Sequence, residues 1–143
     1  MLRNIPPILS PDLLHSLRAM GHGDDIVIAD ANFPGTALSQ RCHRLDGVSA
    51  TDVLAAVLTV LPLDTFVADP ALVMQVVEDA DAVPPIVGAF KKIITATADT
   101  PASLAKLERF AFYERAKTAF AIVQTGETRL YGNIILKKGV IGT

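Results

Sequence analysis

Ile26-Val27-Ile28-Ala29 constrains the fold of this chain more than any other stretch. The run is apolar throughout, rich in β-branched residues and too short for a typical helix, so it reads as a strand buried on both faces. A strand of that kind belongs in a sheet covered by helices. Its flanks are equally informative. Met20-Gly21-His22-Gly23-Asp24-Asp25 precedes it and Asp30 follows it, and together they can place an imidazole near a carboxylate at a strand end. The glycines beside His22 permit turn conformations and close approach of another group. Asp30 falls at the strand's C-terminal end, where open α/β sheets usually bind ligands. A plainer reading stands next to this one: His22 favours the C-terminus of the preceding helix through its dipole, and Asp30 opens a turn with Asn32 and Pro34. The residues alone leave both readings open.

The rest of the chain alternates helical and strand patterns. Ser10-Pro11-Asp12 has the residues of a helix start, with Leu13, Leu14, Leu17 and Met20 on one face and Gly21 at the end. Residues 31–40 read as a loop, and Cys42 to Leu45 as a short strand in which His43 is structural. A core helix starts at Ser49 and ends at Pro62, and a strand is predicted from Ala71 to Val76. Glu78 to Ala82 reads as an acidic turn. Pro84-Pro85 opens a helix through Ile94, and residues 102–117 read as a further helix, broken in the middle. Ala119 to Gln124 and Asn133 to Leu136 are the last strands, separated by a turn at Gly126-Glu127-Thr128. The expected architecture is a three-layer α/β/α sandwich. Its sheet is mostly parallel, with an antiparallel pair at the C-terminal end, and residues 1–143 form one domain.

Composition excludes several functions. The formal charge of −2 and a pI near 5.8 give no basic surplus for nucleic acid. The apolar run from Val53 to Leu63 is interrupted by Thr59 and Pro62 and falls short of the roughly 20 residues a spanning helix needs. With no secretory signal evident, a cytoplasmic protein without a membrane partner is expected. Cys42 is the only cysteine, and His15, His22 and His43 are scattered, so neither an internal disulfide nor a structural zinc site is expected. Mean hydropathy is +0.39 with only 20% charged residues. That balance points to apolar surface buried between subunits of a homo-oligomer, with a well-filled α/β core as the other source.

No GxGxxG, GxxxxGK[ST] or GxSxG motif occurs, and Cys42 has no nucleophile signature, so nucleotide cofactors and covalent hydrolysis have no support. What remains is acid/base chemistry. His22 is suited to proton transfer near neutral pH, Asp30 can orient or hydrogen-bond, and Tyr113 and Tyr131 carry hydroxyls able to handle protons. Tyr131 adjoins Gly132-Asn133, whose amide can bond a polyol hydroxyl. Helix packing for Tyr113 and a strand aromatic beside a turn for Tyr131 are the simpler alternatives.

Five motifs in order carry a resemblance that spans essentially the whole chain. They are Ser10-Pro11-Asp12-Leu13-Leu14, Met20-Gly21-His22-Gly23-Asp24, Ala29-Asp30-Ala31-Asn32-Phe33-Pro34, the segment from Arg109 to Ala116 and the segment from Tyr131 to Val140. Together they resemble the ribose pyranase/fucose mutarotase family, in its L-fucose mutarotase branch. The resemblance implies an isomerase that interconverts the anomers of a free monosaccharide by opening and closing its ring, with no metal or other cofactor. It implies His22 as proton donor and Tyr113 as a second catalytic group. Asp30, Arg109, Tyr131 and Asn133 would bind sugar, with Asp64, in Leu63-Asp64-Thr65-Phe66, as a further candidate. It also implies a ring-shaped homo-oligomer, commonly a decamer, with sites near subunit contacts. A pyranase acting on ribose or a related sugar, and a non-catalytic sugar-binding accessory of uptake, are the alternatives.

Overall fold

The computed structural model describes residues 1–142. The apolar run at 26–29 forms the middle of a six-stranded mixed sheet. In chain order the elements are α1 (Pro11–Ala19), β1 (Asp25–Ala29), α2 (Gly35–Leu38), β2 (Cys42–Leu45), α3 (Ala50–Leu58), β3 (Ala71–Met74), α4 (Pro85–Thr97), β4 (Ala105–Leu107), α5 (Arg109–Thr118), β5 (Ala121–Thr125) and β6 (Ile134–Lys137). The sheet order is β2-β5-β1-β6-β3-β4. β5 runs parallel to both β1 and β2, and β3 is parallel to β4. β6 is antiparallel to both its neighbours, β1 and β3.

Alternate residues of β1 face opposite sides of the sheet, as a strand requires. Ile26 and Ile28 join a cluster with Leu13 and Leu17 of α1, Val53 and Leu54 of α3 and Phe90 and Ile94 of α4. Val27 and Ala29 join the other cluster, with Phe33 and with Phe112 and Ala116 of α5. Phe112 is fully buried and meets Phe33 edge-on at 6.0 Å between ring centroids. Phe112→Ala should therefore remove about 3–5 kcal/mol of stability, which a fall in the urea unfolding midpoint would register.

Three expectations need correction. The segment read as a loop after Asp30 contains the one-turn helix α2, closed by Leu38 N–H to the Pro34 carbonyl and Ser39 N–H to the Gly35 carbonyl. The helix predicted from residue 102 begins only at Arg109. Glu108 is its cap, accepting from the N–H groups of Phe110 and Ala111, and this frees residues 105–107 to pair with β3 as an edge strand. The antiparallel strand near the C-terminus does not pair with β5. β6 inserts between β1 and β3, because its Ile134, Ile135 and Leu136 are fully buried and need cover on both faces.

Candidate active site

The two ends of β1 carry different chemistry. At its start, Gly23 has φ +84°, a conformation that glycine adopts without strain, and it turns the chain so that His22 projects beside the sheet. The turn is pinned from one side by the end of β6. Gly23 N–H donates to the Lys138 carbonyl and Lys138 N–H to the Asp24 carbonyl, while Lys137 Nζ donates to the Gly23 carbonyl at 2.8 Å. Residues 62–64 line the other side of the same strand extension, with Asp64 N–H donating to the Lys137 carbonyl and Gly139 N–H to the Pro62 carbonyl. Asp64 is thereby brought to His22.

His22 Nε2 lies 3.1 Å from Asp64 Oδ1. The Asp64 side chain is 3% exposed and that of His22 46%. Phe66 N–H, donating to Asp64 Oδ1 at 3.0 Å, is the main influence holding this carboxyl below the ordinary carboxylate range. His22 and Lys137 add to the effect and burial opposes it. An ionised carboxylate only accepts hydrogen bonds, so Nε2 carries the proton between the two residues and Nδ1 is the nitrogen left to meet a substrate. The His22 ring also packs against Phe66, which is 74% exposed. The anchor beneath the turn is Asp25, which accepts from Arg115 Nε at 2.8 Å and from Lys137 Nζ at 3.0 Å.

At the other end of β1, Asp30, Arg109, Tyr113, Tyr131 and Asn133 line one cavity of about 210 Å³. Asp30 and Asn133 are both buried and lock each other: Asn133 Nδ2 donates to Asp30 Oδ2 at 2.8 Å, and Asp30 N–H donates to Asn133 Oδ1 at 2.9 Å. Asp30 Oδ1 also accepts from Asn32 N–H, so the expected turn and the cavity-facing carboxylate coexist in one residue. Tyr113 stacks on Phe33, ring centroids 5.4 Å apart, and the Arg109 guanidinium sits 5.9 Å from the Tyr113 ring. The Tyr131 hydroxyl accepts from Val77 N–H at 3.2 Å, which ties the loop after β3 to the cavity rim.

The His22–Asp30 proximity that the spacing permits is therefore not what the fold makes. The two residues flank a strand about 17 Å long at a rise of roughly 3.3 Å per residue, and the carboxylate that meets His22 is Asp64. Nor does a single chain bring His22 to Tyr113, since Tyr113 lines the cavity at the Asp30 end. Asp64, a further candidate for sugar binding, lies beside His22 and not in the cavity at the Asp30 end. His43 is bonded to Ser16 Oγ at 2.8 Å, and burial lowers its pKa, in keeping with its structural reading.

Several residues that support the cavity carry no motif of their own. Gln124 donates to the Asp30 carbonyl and accepts from Gly35 N–H, and Thr125 Oγ1 donates to the Ala29 carbonyl. The available signal is two polar residues ending an apolar strand. Glu127 reads in the sequence only as part of a turn, yet it is 4% exposed. The Arg129 guanidinium beside it is the main influence holding its carboxyl at about 2, from an ordinary 4.5, and burial opposes this. Because the folded-state value is the lower one, the pair's contribution to stability is complete above about pH 4.5 and lost as pH falls toward 2. Urea unfolding across that range should show Glu127→Gln less stable than the parent above pH 4.5, the gap closing at the acid end.

Known proteins resemble this chain over nearly its whole length. Residues 3–141 match the model of the RbsD / FucU transport protein family. The chain is 49% identical to the human fucose mutarotase, over 98% of this chain and 94% of that protein. It is 44% identical to the L-fucose mutarotase of Histophilus somni strain 2336, over 98% and 97%. A crystal structure of the fucose mutarotase from Streptococcus pneumoniae in complex with L-fucose superposes with a TM-score of 0.91 at 45% identity, covering 99% of this chain and all of that one. The chain belongs to the RbsD / FucU family.

Proposed function

We propose that this protein is an isomerase that interconverts the α and β anomers of L-fucose, and that its site is completed by two copies of the chain. The observation that carries this is the small cavity in which Asp30, Arg109, Tyr113, Tyr131 and Asn133 place their polar groups, in a chain similar over nearly its whole length to proteins named fucose mutarotases. A free reducing sugar fits such a cavity by its hydroxyls. Asp30 and Arg109 supply charge-assisted hydrogen bonds and the Tyr131 and Asn133 segment supplies neutral ones. In the reaction the anomeric hydroxyl gives up its proton as the bond from the anomeric carbon to the ring oxygen breaks, and the ring oxygen takes a proton. Rotation of the freed aldehyde and reversal of both transfers yields the other anomer. His22 is the proton donor, giving up the Nδ1 proton of its doubly protonated ring while Asp64 keeps Nε2–H, and Tyr113 is the second proton-handling group, each contributing about 10²- to 10⁴-fold. The chemistry needs no metal or organic cofactor.

His22 and Tyr113 meet one sugar when the β1-start end of one copy docks on the cavity end of the next. Exposed apolar side chains border both ends. Phe66 packs on His22 and is followed in the chain by the exposed Val67, while Val77 and Leu130 line the cavity and Phe110 lines an adjoining one that shares Val77 and Arg109. Contact between two different patches is heterologous and closes into a ring when the rotation allows. This supports a ring-type homo-oligomer, with a decamer as the expected size. Asp64 then acts by holding the His22 ring and tautomer while bordering the sugar. Within each copy, the two core clusters on opposite sheet faces are read as the interior of a three-layer α/β/α sandwich. No helix among the described residues is long and apolar enough to cross a membrane, and a cytoplasmic location is part of the same reading.

The test is exchange NMR on L-fucose, D-ribose and D-galactose. The account predicts anomer exchange well above buffer with L-fucose. Faster exchange with ribose transfers the assignment to a pyranase, and no exchange with any sugar overturns it in favour of a binding accessory.

A further inference from the structure

We propose that Glu127 is the positioning residue of the sugar cavity, a buried carboxylate that sets the Tyr131-Gly132-Asn133 segment against Asp30; the proposal rests on the reading of that cavity as the sugar site. Every polar group of Glu127 is engaged. Its N–H donates to Thr125 Oγ1 at 3.2 Å, and its carbonyl accepts from Ala31 N–H at 2.9 Å, directly beside Asp30. Its Oε1 accepts from both Arg129 N–H at 3.0 Å and Arg129 Nε at 2.8 Å, and its Oε2 accepts from Arg129 Nη2 at 2.8 Å. The carboxylate thus ties the backbone and the side chain of Arg129 together and closes the turn that leads to Tyr131.

The segment beyond that turn cannot hold its shape unaided. Tyr131 has φ +63°, a left-handed conformation that a non-glycine residue keeps only when its surroundings impose it. Gly132 lies flat on Glu127: a Cβ there would stand 2.8 Å from Glu127 Cγ, 3.1 Å from the Arg129 carbonyl oxygen and 3.4 Å from Asp30 Cβ. The side chain of Glu127 is therefore the floor on which the segment rests, and Asp30 is its other wall. Asn133, one residue on, makes the two hydrogen bonds that orient Asp30. Loss of the Glu127 carboxylate releases Arg129, lets Tyr131 leave its imposed conformation and loosens the sugar contacts at both ends of the segment. Glu127 itself stays beneath the cavity and touches no substrate.

The experiment measures kcat and KM for L-fucose anomer exchange in the intact assembly for Glu127→Ala, Glu127→Gln, Asn133→Ala and the Glu127→Ala/Asn133→Ala double variant. Uniform binding lost to misplaced contacts raises KM and spares kcat, whereas a merely structural lesion lowers the amount of active protein and leaves KM alone. The expected result is KM raised about tenfold in Glu127→Ala with kcat within about twofold. Glu127→Gln keeps the volume and an acceptor for the Arg129 N–H, so its KM should rise only about threefold. In the Asn133→Ala background Glu127→Ala should add less than about twofold, because both act through one segment. An unchanged KM in Glu127→Gln and Glu127→Ala, or effects that multiply in the double variant, overturns the role of Glu127 while leaving the sugar reading intact. Parent protein without exchange on any sugar overturns the sugar reading, and this proposal with it.

Discussion

His22→Ala should slow protein-dependent exchange between the L-fucose anomers by about 10²- to 10⁴-fold, the range a lost general acid or base produces. Sugar binding should persist, because the cavity lined by Asp30, Arg109 and Tyr113 does not include His22. The substitution is clean in other respects. The His22 side chain is nearly half exposed, so little packing is lost, and Asp64 keeps the hydrogen bond from Phe66 N–H. Saturation-transfer NMR reads exchange and binding on the same sample. Unchanged exchange would remove His22 from the mechanism, and slowed exchange fully accounted for by weakened binding would make it a ligand only.

Asp30→Ala should do the reverse, weakening L-fucose binding by about 10²-fold, as expected when charged hydrogen bonds worth about 1.5–3 kcal/mol each are removed. Three groups depend on this carboxylate. The sugar loses its acceptor, Asn133 Nδ2 loses its buried partner, and Asn32 N–H loses the bond that shapes the turn. Some stability goes as well, about 1–3 kcal/mol for the orphaned amide. Asp30→Asn separates the two effects: it preserves shape and hydrogen-bonding capacity near Asn133 but removes the charge. Titration calorimetry with L-fucose should rank parent, Asp30→Asn and Asp30→Ala in falling affinity. Equal affinities across the three would take Asp30 out of the sugar site.

The central strand is plain in the sequence because four consecutive apolar residues have few other fates. Ser10 and Ser49 mark helix starts as clearly, and both caps form. The late start of α5 is less visible, since the deciding feature is the Glu108 carboxylate turning back onto its own backbone, and acidic residues are as common inside a helix as before one. The site divides along the same lines. Motif order carries the candidates, and five of them, Asp30, Arg109, Tyr113, Tyr131 and Asn133, gather in one cavity. The partner of His22 cannot be read from local spacing, because Asp64 is 42 positions away and reaches it only through the pairing of residues 62–64 with the end of β6. Glu127 is hidden for a similar reason. In a Gly-Glu-Thr turn a carboxylate is ordinarily solvated, and only the fold buries this one beneath Gly132.

The central claim is that His22 of one copy and Tyr113 of the next serve one sugar. Co-expressing His22→Ala chains with Tyr113→Phe chains tests it most directly, with L-fucose anomer exchange as the readout. Each variant alone should be nearly inactive. Random assembly of the two restores intact sites wherever a Tyr113→Phe chain lends its His22 to a His22→Ala chain, which is about one interface in four for heterologous contacts. The account predicts exchange at about a quarter of the parent rate in the mixed assembly. Mixed assemblies no more active than the separate variants would contradict it, and would require both residues to act within one chain.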